Sequence, residues 1–281
     1  MNKINVFVAS ALTIWMSNSA VSAPIFKDSF ETGDLQSTNS TGFFWQGSGG
    51  RTAVVTEAAK DGNYSLLFNY PAGEPWTEQR FSLGSSYPDL WVSFWIRVPQ
   101  NFYHPATSPS NNKFFAIWMD DYSSKGDGPT AFWNIFSNGS GGSQIAYSYS
   151  EGSYQVGGPQ SQFKEFIRVP DDRGRWMKVV IHVKASSTPG ESDGVIELWR
   201  RWENESEFTK YHEDTNANLP IPSGGPDGWS VGYLMGWANA EYESETKWFL
   251  DEFVVSDSSL INGDVGSGSS VAPNPPELDV Q

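Results

Sequence analysis

The sequence contains no cysteine. That absence excludes disulfides, thiolate metal sites, a cysteine nucleophile and a lipidated N-terminal cysteine anchor. Basic residues are scarce: 18 Lys and Arg stand against 33 Asp and Glu, for a formal net charge of −15. Such acidity favours solubility and repels nucleic acid and anionic membrane, so neither is an expected partner. A polyanionic ligand is repelled at long range as well, unless its own site is locally basic. No stretch reaches the length of a membrane span. The apolar run from Val6 to Met16 is too short to cross a bilayer. It follows Lys3 and leads into Val21-Ser22-Ala23, which is the layout of a secretory signal peptide. Residues 1–23 are therefore expected to be a leader cleaved near Ala23, and the protein to be secreted, outside the cell or into a periplasm.

No long helical pattern and no internal repeat is present. Gly and Pro clusters punctuate the chain, and short runs rich in β-branched and aromatic residues lie between them. That rhythm predicts an all-β sandwich over residues 24–260. Expected strands are Ser65–Tyr70, Thr77–Leu83, Leu90–Val98, Lys113–Met119, Thr130–Phe136, Gln144–Tyr149, Arg175–Lys184, Gly194–Trp202, Ser230–Trp237 and Lys247–Ser256. Residues 261–281, rich in Gly, Ser and Pro, read as a flexible tail.

Strand alternation assigns faces. Leu90, Val92, Phe94, Ile96 and Val98 should point to a core, as should Met177, Val179, Ile181 and Val183, then Ile196 and Leu198, then Phe81 and Leu83. The opposite faces carry Trp91, Trp95 and Arg97, Lys178 and His182, Glu197, Trp199 and Arg201, and Glu78 and Arg80. Thirteen Trp, 11 Tyr and 18 Phe are present, and Trp at alternating, polar-flanked positions exceeds what core packing needs. Sugar rings have apolar C–H faces rimmed by hydroxyls. Flat indoles match the former, and charged side chains fix the latter. Trp91, Trp95, Trp199 and Trp133 beside Arg97, Arg201, Lys178, Glu78, Glu197 and His182 thus suit a polysaccharide. A solvated outer face, or one covered by the loop Gln100–Asn112, accounts for the same pattern.

His182, mid-strand on the polar face, suits proton exchange near neutral pH; a hydrogen-bonded structural role suits it equally. His104, in a Pro-rich loop, and His212, in a charged segment, read as surface residues. No His or carboxylate cluster has metal-ligand spacing. Asp120-Asp121 and Asp251-Glu252 are weak candidates for a structural Ca²⁺ site, and no cofactor is otherwise called for. Glu197 and Glu78 are the carboxylates available for glycoside hydrolysis. No Gly-x-Ser-x-Gly elbow or phosphate-binding glycine loop occurs.

Gly174-Arg-Trp-Met-Lys-Val-Val-Ile-His-Val-Lys with Asp193-Gly-Val-Ile-Glu-Leu-Trp, and the closing Trp248-Phe-Leu-Asp-Glu-Phe-Val-Val-Ser, resemble recurring strands of concanavalin A-like sandwich proteins. Asn112-Lys-Phe-Phe and Tyr233-Leu-Met-Gly-Trp resemble strands of the jelly-roll polysaccharide lyases of the alginate and glucuronan lyase-like groups. The resemblance covers most of Asp28–Leu260. It implies a jelly-roll of two antiparallel sheets and a lyase that cleaves a uronate-containing, anionic polysaccharide by β-elimination. In such lyases a basic or amide group neutralises the uronate, and a Tyr or His moves the C5 proton. Matching types here are Arg80, Arg97, Lys113 or Arg201 for the first role, and His182, Tyr147 or Tyr149 for the second. One departure stands out: Gln144-Ile145 is followed by Ala146, where a major alginate lyase family has His. That family's Tyr-x-Lys-x-Gly-x-Tyr motif is also absent. A carbohydrate-binding module or lectin, a glycoside hydrolase and a matrix protein of the same fold are the alternatives. A monomer is expected.

Overall fold

The computed structural model describes residues 23–47, 50–120, 128–152 and 160–261. Most of the expected leader, residues 1–22, and the expected tail beyond residue 261 lie outside these residues. The strands run, in chain order, β1 (Phe26–Asp28), β2 (Phe44–Trp45), β3 (Thr52–Val55), β4 (Ser65–Tyr70) and β5 (Trp76–Tyr87). They continue as β6 (Asp89–Arg97), β7 (Asn111–Trp118), β8 (Thr130–Ser137), β9 (Ser143–Ser150) and β10 (Ser161–Ile167). The last are β11 (Trp176–Lys184), β12 (Gly194–Trp202), β13 (Thr209–Ala217), β14 (Trp229–Trp237) and β15 (Thr246–Ser256).

The strands form two antiparallel sheets, the jelly-roll sandwich expected from the sequence. An eight-stranded sheet has the order β13-β12-β11-β6-β15-β4-β3, with β1 added alongside β15. A seven-stranded sheet has the order β10-β9-β8-β7-β14-β5-β2. Neighbours such as β6 and β15, or β7 and β14, are far apart in sequence, so most pairings close long loops. All ten expected strands are present. β10 and β13 were not expected. Each sits at a sheet edge, and β13 (Thr-Lys-Tyr-His-Glu-Asp-Thr-Asn-Ala) is mostly polar, as an edge strand that discourages further pairing should be. β1 to β3 are too short for periodicity to reveal.

The two inner faces share one core. Leu90, Val92, Phe94, Ile96 and Val98 are buried there with Met177, Val179, Ile181, Val183, Ile196, Leu198, Phe81 and Leu83, all as alternation requires. The seven-stranded sheet contributes Phe115, Ile117, Trp133, Ile135, Ile145 and Tyr147. Aromatic rings interlock in it, Phe94 with Phe115 across the gap at 6.1 Å and Phe115 with Trp133 along one sheet at 5.9 Å.

Polar ties cross the same core. Trp133 Nε1 donates to His212 Nδ1 at 3.1 Å, joining β8 to β13 on the other sheet. His212 Nε2 in turn lies 2.9 Å from the Gln162 carbonyl oxygen, which fixes the ring proton on Nε2. His212 and His104 are fully buried rather than on the surface. His104 Nε2 bonds the Ser110 carbonyl oxygen at 2.8 Å, and backbone pairing to Gly141 holds its strand-like segment. Sequence context misplaced both because flanking charges on an edge strand or loop say nothing about the inward-pointing side chain.

Burial pushes both imidazoles down to about 4, opposed by backbone hydrogen bonds at Ser110 for His104 and at Gln162 and Ile145 for His212. Unfolded histidine titrates near 6.5, so between these values the unfolded chain binds more protons. Stability should therefore be complete above about pH 6.5 and fall as pH drops toward 4. Each ring accounts for on the order of 3 kcal/mol over that window. Denaturant unfolding of the wild type between pH 4.5 and 7 should show this slope. His212→Gln should flatten it, whatever its effect on stability at pH 7. An unchanged slope would contradict a neutral, buried His212.

Candidate active site

Most residues expected to bind sugar, Trp133 and Glu78 excepted, do gather on one surface, the outer face of β6, β11 and β12. That surface is closed. Trp95, Trp199, His182 and Glu197 are no more than 9% exposed. Trp91 stacks on Trp199 at 5.4 Å and on the His182 ring at 4.0 Å. Phe208, Leu260 and Ile261 pack over that stack, and Val55 and Ala58 pack over Trp95 and Trp176. Arg201 and Lys178 lie against the Trp95 ring, at 5.0 and 5.9 Å. Arg97 spans to the Gly174 carbonyl oxygen at 2.9 Å. The covering segments come from elsewhere in the chain, not from the loop Gln100–Asn112. These side chains therefore form a second, smaller packing layer, and the expectation of an open trough there is corrected.

His182 is fully engaged in that layer. Its Nδ1 is 2.7 Å from Glu197 Oε2 and its Nε2 is 2.9 Å from Asp89 Oδ1, while Lys210 Nζ sits 2.9 Å from Glu197 Oε1. Burial disfavours the imidazolium, but the two carboxylate hydrogen bonds outweigh it and raise the pKa. A doubly bonded imidazolium stacked on an indole braces β6, β11 and β12.

Trp133, Tyr147 and Tyr149 point the other way, into the sandwich, since they pair in register with core rows. Tyr147 donates to Asp214 Oδ2 at 2.9 Å, and burial together with that carboxylate pushes its phenol up to about 12. A phenol held protonated inside the core is a poor proton acceptor for a substrate. Glu197 and Glu78 stand on the outer faces of different sheets, so they cannot flank one glycosidic bond, and the hydrolase pairing fails. Asp251 accepts backbone N–H bonds from Lys60, Asp61 and Glu252, and Glu252 pairs with Lys27 at 2.9 Å. Oxygens facing N–H donors suit a carboxylate held by the backbone, not a cation. Asp121 lies outside the described residues.

The outer face of the seven-stranded sheet holds a second cluster, in which Glu78, Trp118, Asn134 and Tyr233 are likewise buried and Arg80 and Lys113 are partly exposed. Register places Arg80 (β5) beside Tyr233 (β14), Ala116 (β7), Phe132 (β8) and Ser148 (β9) in one row. The adjacent row holds Glu78, Lys113 and Asn134. Glu78 Oε1 lies 2.6 Å from Arg80 Nε, and the guanidinium lies 5.9 Å from the Trp118 ring. Lys113 Nζ lies 5.0 Å from the centre of the Tyr233 ring. Three cation- or carboxylate-bearing residues named from sequence, Glu78, Arg80 and Lys113, thus meet with Tyr233, Asn134 and Trp118, which were not named as site residues.

Two local irregularities build this cluster. A bulge between Lys113 and Phe115 sends Phe114 and Phe115 both into the core and leaves Lys113 on the outer face. In β14, Met235 adopts φ +57° and drops into the core, and Gly236 follows at φ +144°. A Cβ at Gly236 would come within 3.0 Å of Lys113 Cδ and 3.1 Å of Glu78 Oε2. The glycine lets those two side chains converge over the strand. Tyr70 anchors the same kink, its hydroxyl 2.7 Å from the Gly236 carbonyl oxygen. Strained backbone concentrated beside converging charges marks functional sites.

The model of the polysaccharide lyase family matches residues 30–219, which hold Glu78, Arg80, Lys113, Trp118 and Asn134. The chain belongs to the polysaccharide lyase family. No curated protein sequence matches the lyase. Solved structures share its fold at low identity. An alginate lyase in complex with an alginate trisaccharide aligns with a TM-score of 0.56 at 9% identity, over 83% of this chain and 98% of that one. The marine alginate lyase from Aplysia kurodai aligns at 0.58 and 9%, over 83% and 99%. An alginate lyase from Chlorella virus aligns at 0.50 and 14%, over 76% and 92%.

Gly236→Ala in the lyase would force a Cβ against Lys113 and Glu78 at a backbone angle that favours glycine. It should lower stability by about 1–3 kcal/mol and lower lyase activity by displacing Lys113. Denaturant unfolding and initial rates measure the two effects separately; full activity in a folded variant would contradict the convergence.

Proposed function

We propose that this lyase is a secreted monomer that cleaves a uronate-containing polysaccharide by β-elimination on the outer face of the seven-stranded sheet. The observation that carries the reading is the clustering of Arg80, Lys113, Asn134 and Tyr233 on one sheet face of an otherwise strongly acidic protein. Local positive charge is what a polyanion needs to approach a surface of net charge −15. The expected leader 1–23 supports secretion, where such polymers are met.

The chemistry follows from the residue types. The C5 proton of a uronate is acidic only when its carboxylate is neutralised. Arg80, oriented by Glu78, and the Asn134 amide supply charge and hydrogen bonds for that carboxylate. Lys113 and Tyr233, stacked cation on ring, form the proton-transfer pair. One takes the C5 proton; the C4–O bond then breaks as the C4–C5 double bond forms, and the other protonates the departing oxygen. The step is redox-neutral, and its protons are moved by side chains alone.

Alginate, glucuronan, ulvan and heparin-type polymers should be tested by the ultraviolet absorbance of the unsaturated product. Lys113→Ala and Tyr233→Phe should each lower kcat by about 10²–10⁴-fold while leaving polymer binding measurable. Arg80→Ala should raise KM as well, because it removes the carboxylate's partner. His182→Ala should leave kcat per folded molecule unchanged. Activity that survives Lys113→Ala and Tyr233→Phe, or is lost only in His182→Ala, would move the site to the other sheet.

A further inference from the structure

Few large apolar side chains of the described residues are exposed, and two of them flank the same working face. Trp237 is 46% exposed and Phe163 is 47% exposed. Trp237 closes β14 directly opposite Trp76 of β5, on the outer side by alternation from Glu78. Its indole is held, since Nε1 donates to Asn239 Oδ1 at 3.1 Å and Asn239 Nδ2 donates to Asn111 Oδ1 at 3.0 Å. Asn111 lies opposite Phe136 of β8, and Phe136 packs edge-on against Phe163 at 5.0 Å. Asn112 pairs with Ala238, which places Trp237 opposite Lys113 and Asn239 opposite Asn111. Trp76, Trp237, the two asparagine amides, Phe136 and Phe163 therefore form an oblique line across the strands. Trp237 and Phe136 are two strand spacings and two residues apart, about 12 Å. The line thus starts beside Lys113 and ends about 7 Å beyond it, at the level of Asn111.

We infer that Trp237 and the Phe136–Phe163 pair are two stacking platforms that hold sugar rings of one polysaccharide chain laid across the strands, with the Asn111–Asn239 amides meeting the hydroxyls between them. A solvent-facing indole fixed by an amide has surrendered its rotamer freedom before any ligand arrives, which favours binding a flat apolar face. The line is uncharged, so it adds grip on the rings without adding to the charge recognition at Arg80. This rests on the proposed reaction at the adjacent row and adds to it a mode of engagement: an internal stretch of a long chain, bound at several sugars. A polymer should depend on the platforms more than a short oligosaccharide does.

Trp237→Ala, Trp237→Phe and Phe163→Ala are compared with the wild type on a polymer and on the shortest oligosaccharide it cleaves. Trp237→Ala should raise KM for the polymer about 3–10-fold, with kcat within twofold and a smaller change on the oligosaccharide. Trp237→Phe should recover most of the loss, and Phe163→Ala should resemble Trp237→Ala. Unchanged polymer KM in Trp237→Ala, or a loss confined to kcat, overturns the platform. Binding is read separately in a Lys113→Ala background by retardation in gels containing alginate or glucuronan. Retardation that weakens when Trp237→Ala is added supports the platform even if no polymer is cleaved by the wild type; equal mobility with and without Trp237 overturns it.

Discussion

The interleaved apolar faces of the two sheets hold everything else in this protein in place. Long-range antiparallel pairing costs chain entropy before it returns any contact energy. The return here is a continuous aromatic and aliphatic core fed by nearly every strand. Because side chains alternate, a strand committed to that core also commits its other side chains to an outer face. Register is then specified strongly, as a one-residue slip would carry Phe94 or Ile181 out of the core. The buried Trp133–His212 bond and the Tyr147–Asp214 bond pin the sheets together at chosen points, and each would leave an unsatisfied buried group if the sheets slid.

The two outer faces then meet different fates. On the eight-stranded sheet, Val55 at the end of β3, Ala58 after it, and the segments at Phe208 and Leu260–Ile261 close over Trp95, Trp91 and Trp199. Cations beside these rings serve packing, and His182 is caught between two carboxylates. On the seven-stranded sheet, Arg80, Lys113, Tyr233 and Asn134 converge, and Trp237 and Phe163 remain at the surface. The same residue types, aromatic beside basic, produce a brace on one side of the sandwich and the proposed working surface on the other.

What distinguishes the working surface is irregular backbone. A regular β14 would alternate through Met235 and Gly236 without a break. Instead the Met235 side chain turns inward and Gly236 takes up a conformation that leaves room for Lys113 and Glu78 above the strand. The bulge in β7 likewise frees Lys113 while using two consecutive phenylalanines for the core. Reactive groups are thus placed by rigid strands with local distortions, and the core pays the strain through the contacts of Phe114, Phe115 and Met235.

The sequence by itself determined the all-β class, the ten central strands and the inward set on each, because a period of two is a local property that burial on one face writes directly into residue choice. It also named Glu78, Arg80 and Lys113, and the motifs that carried the family resemblance, Asn112-Lys-Phe-Phe and Tyr233-Leu-Met-Gly-Trp, contain the bulge and the kink that build the site. Tyr233 and Trp237 lie within that signal, but a lone Tyr and a strand-end Trp carry no local mark of their chemistry. Which side chains cluster on each outer face, and what packs over them, is set by tertiary pairing instead. Alternation separates inside from outside for each strand alone, whereas covering a face depends on residues far away in sequence, such as Leu260 over Trp91, and on which strands pair. The inward turn of Tyr147 and Trp133, the sealing of His182 and the meeting of Lys113 with Tyr233 all depend on that long-range pairing, which no local period encodes.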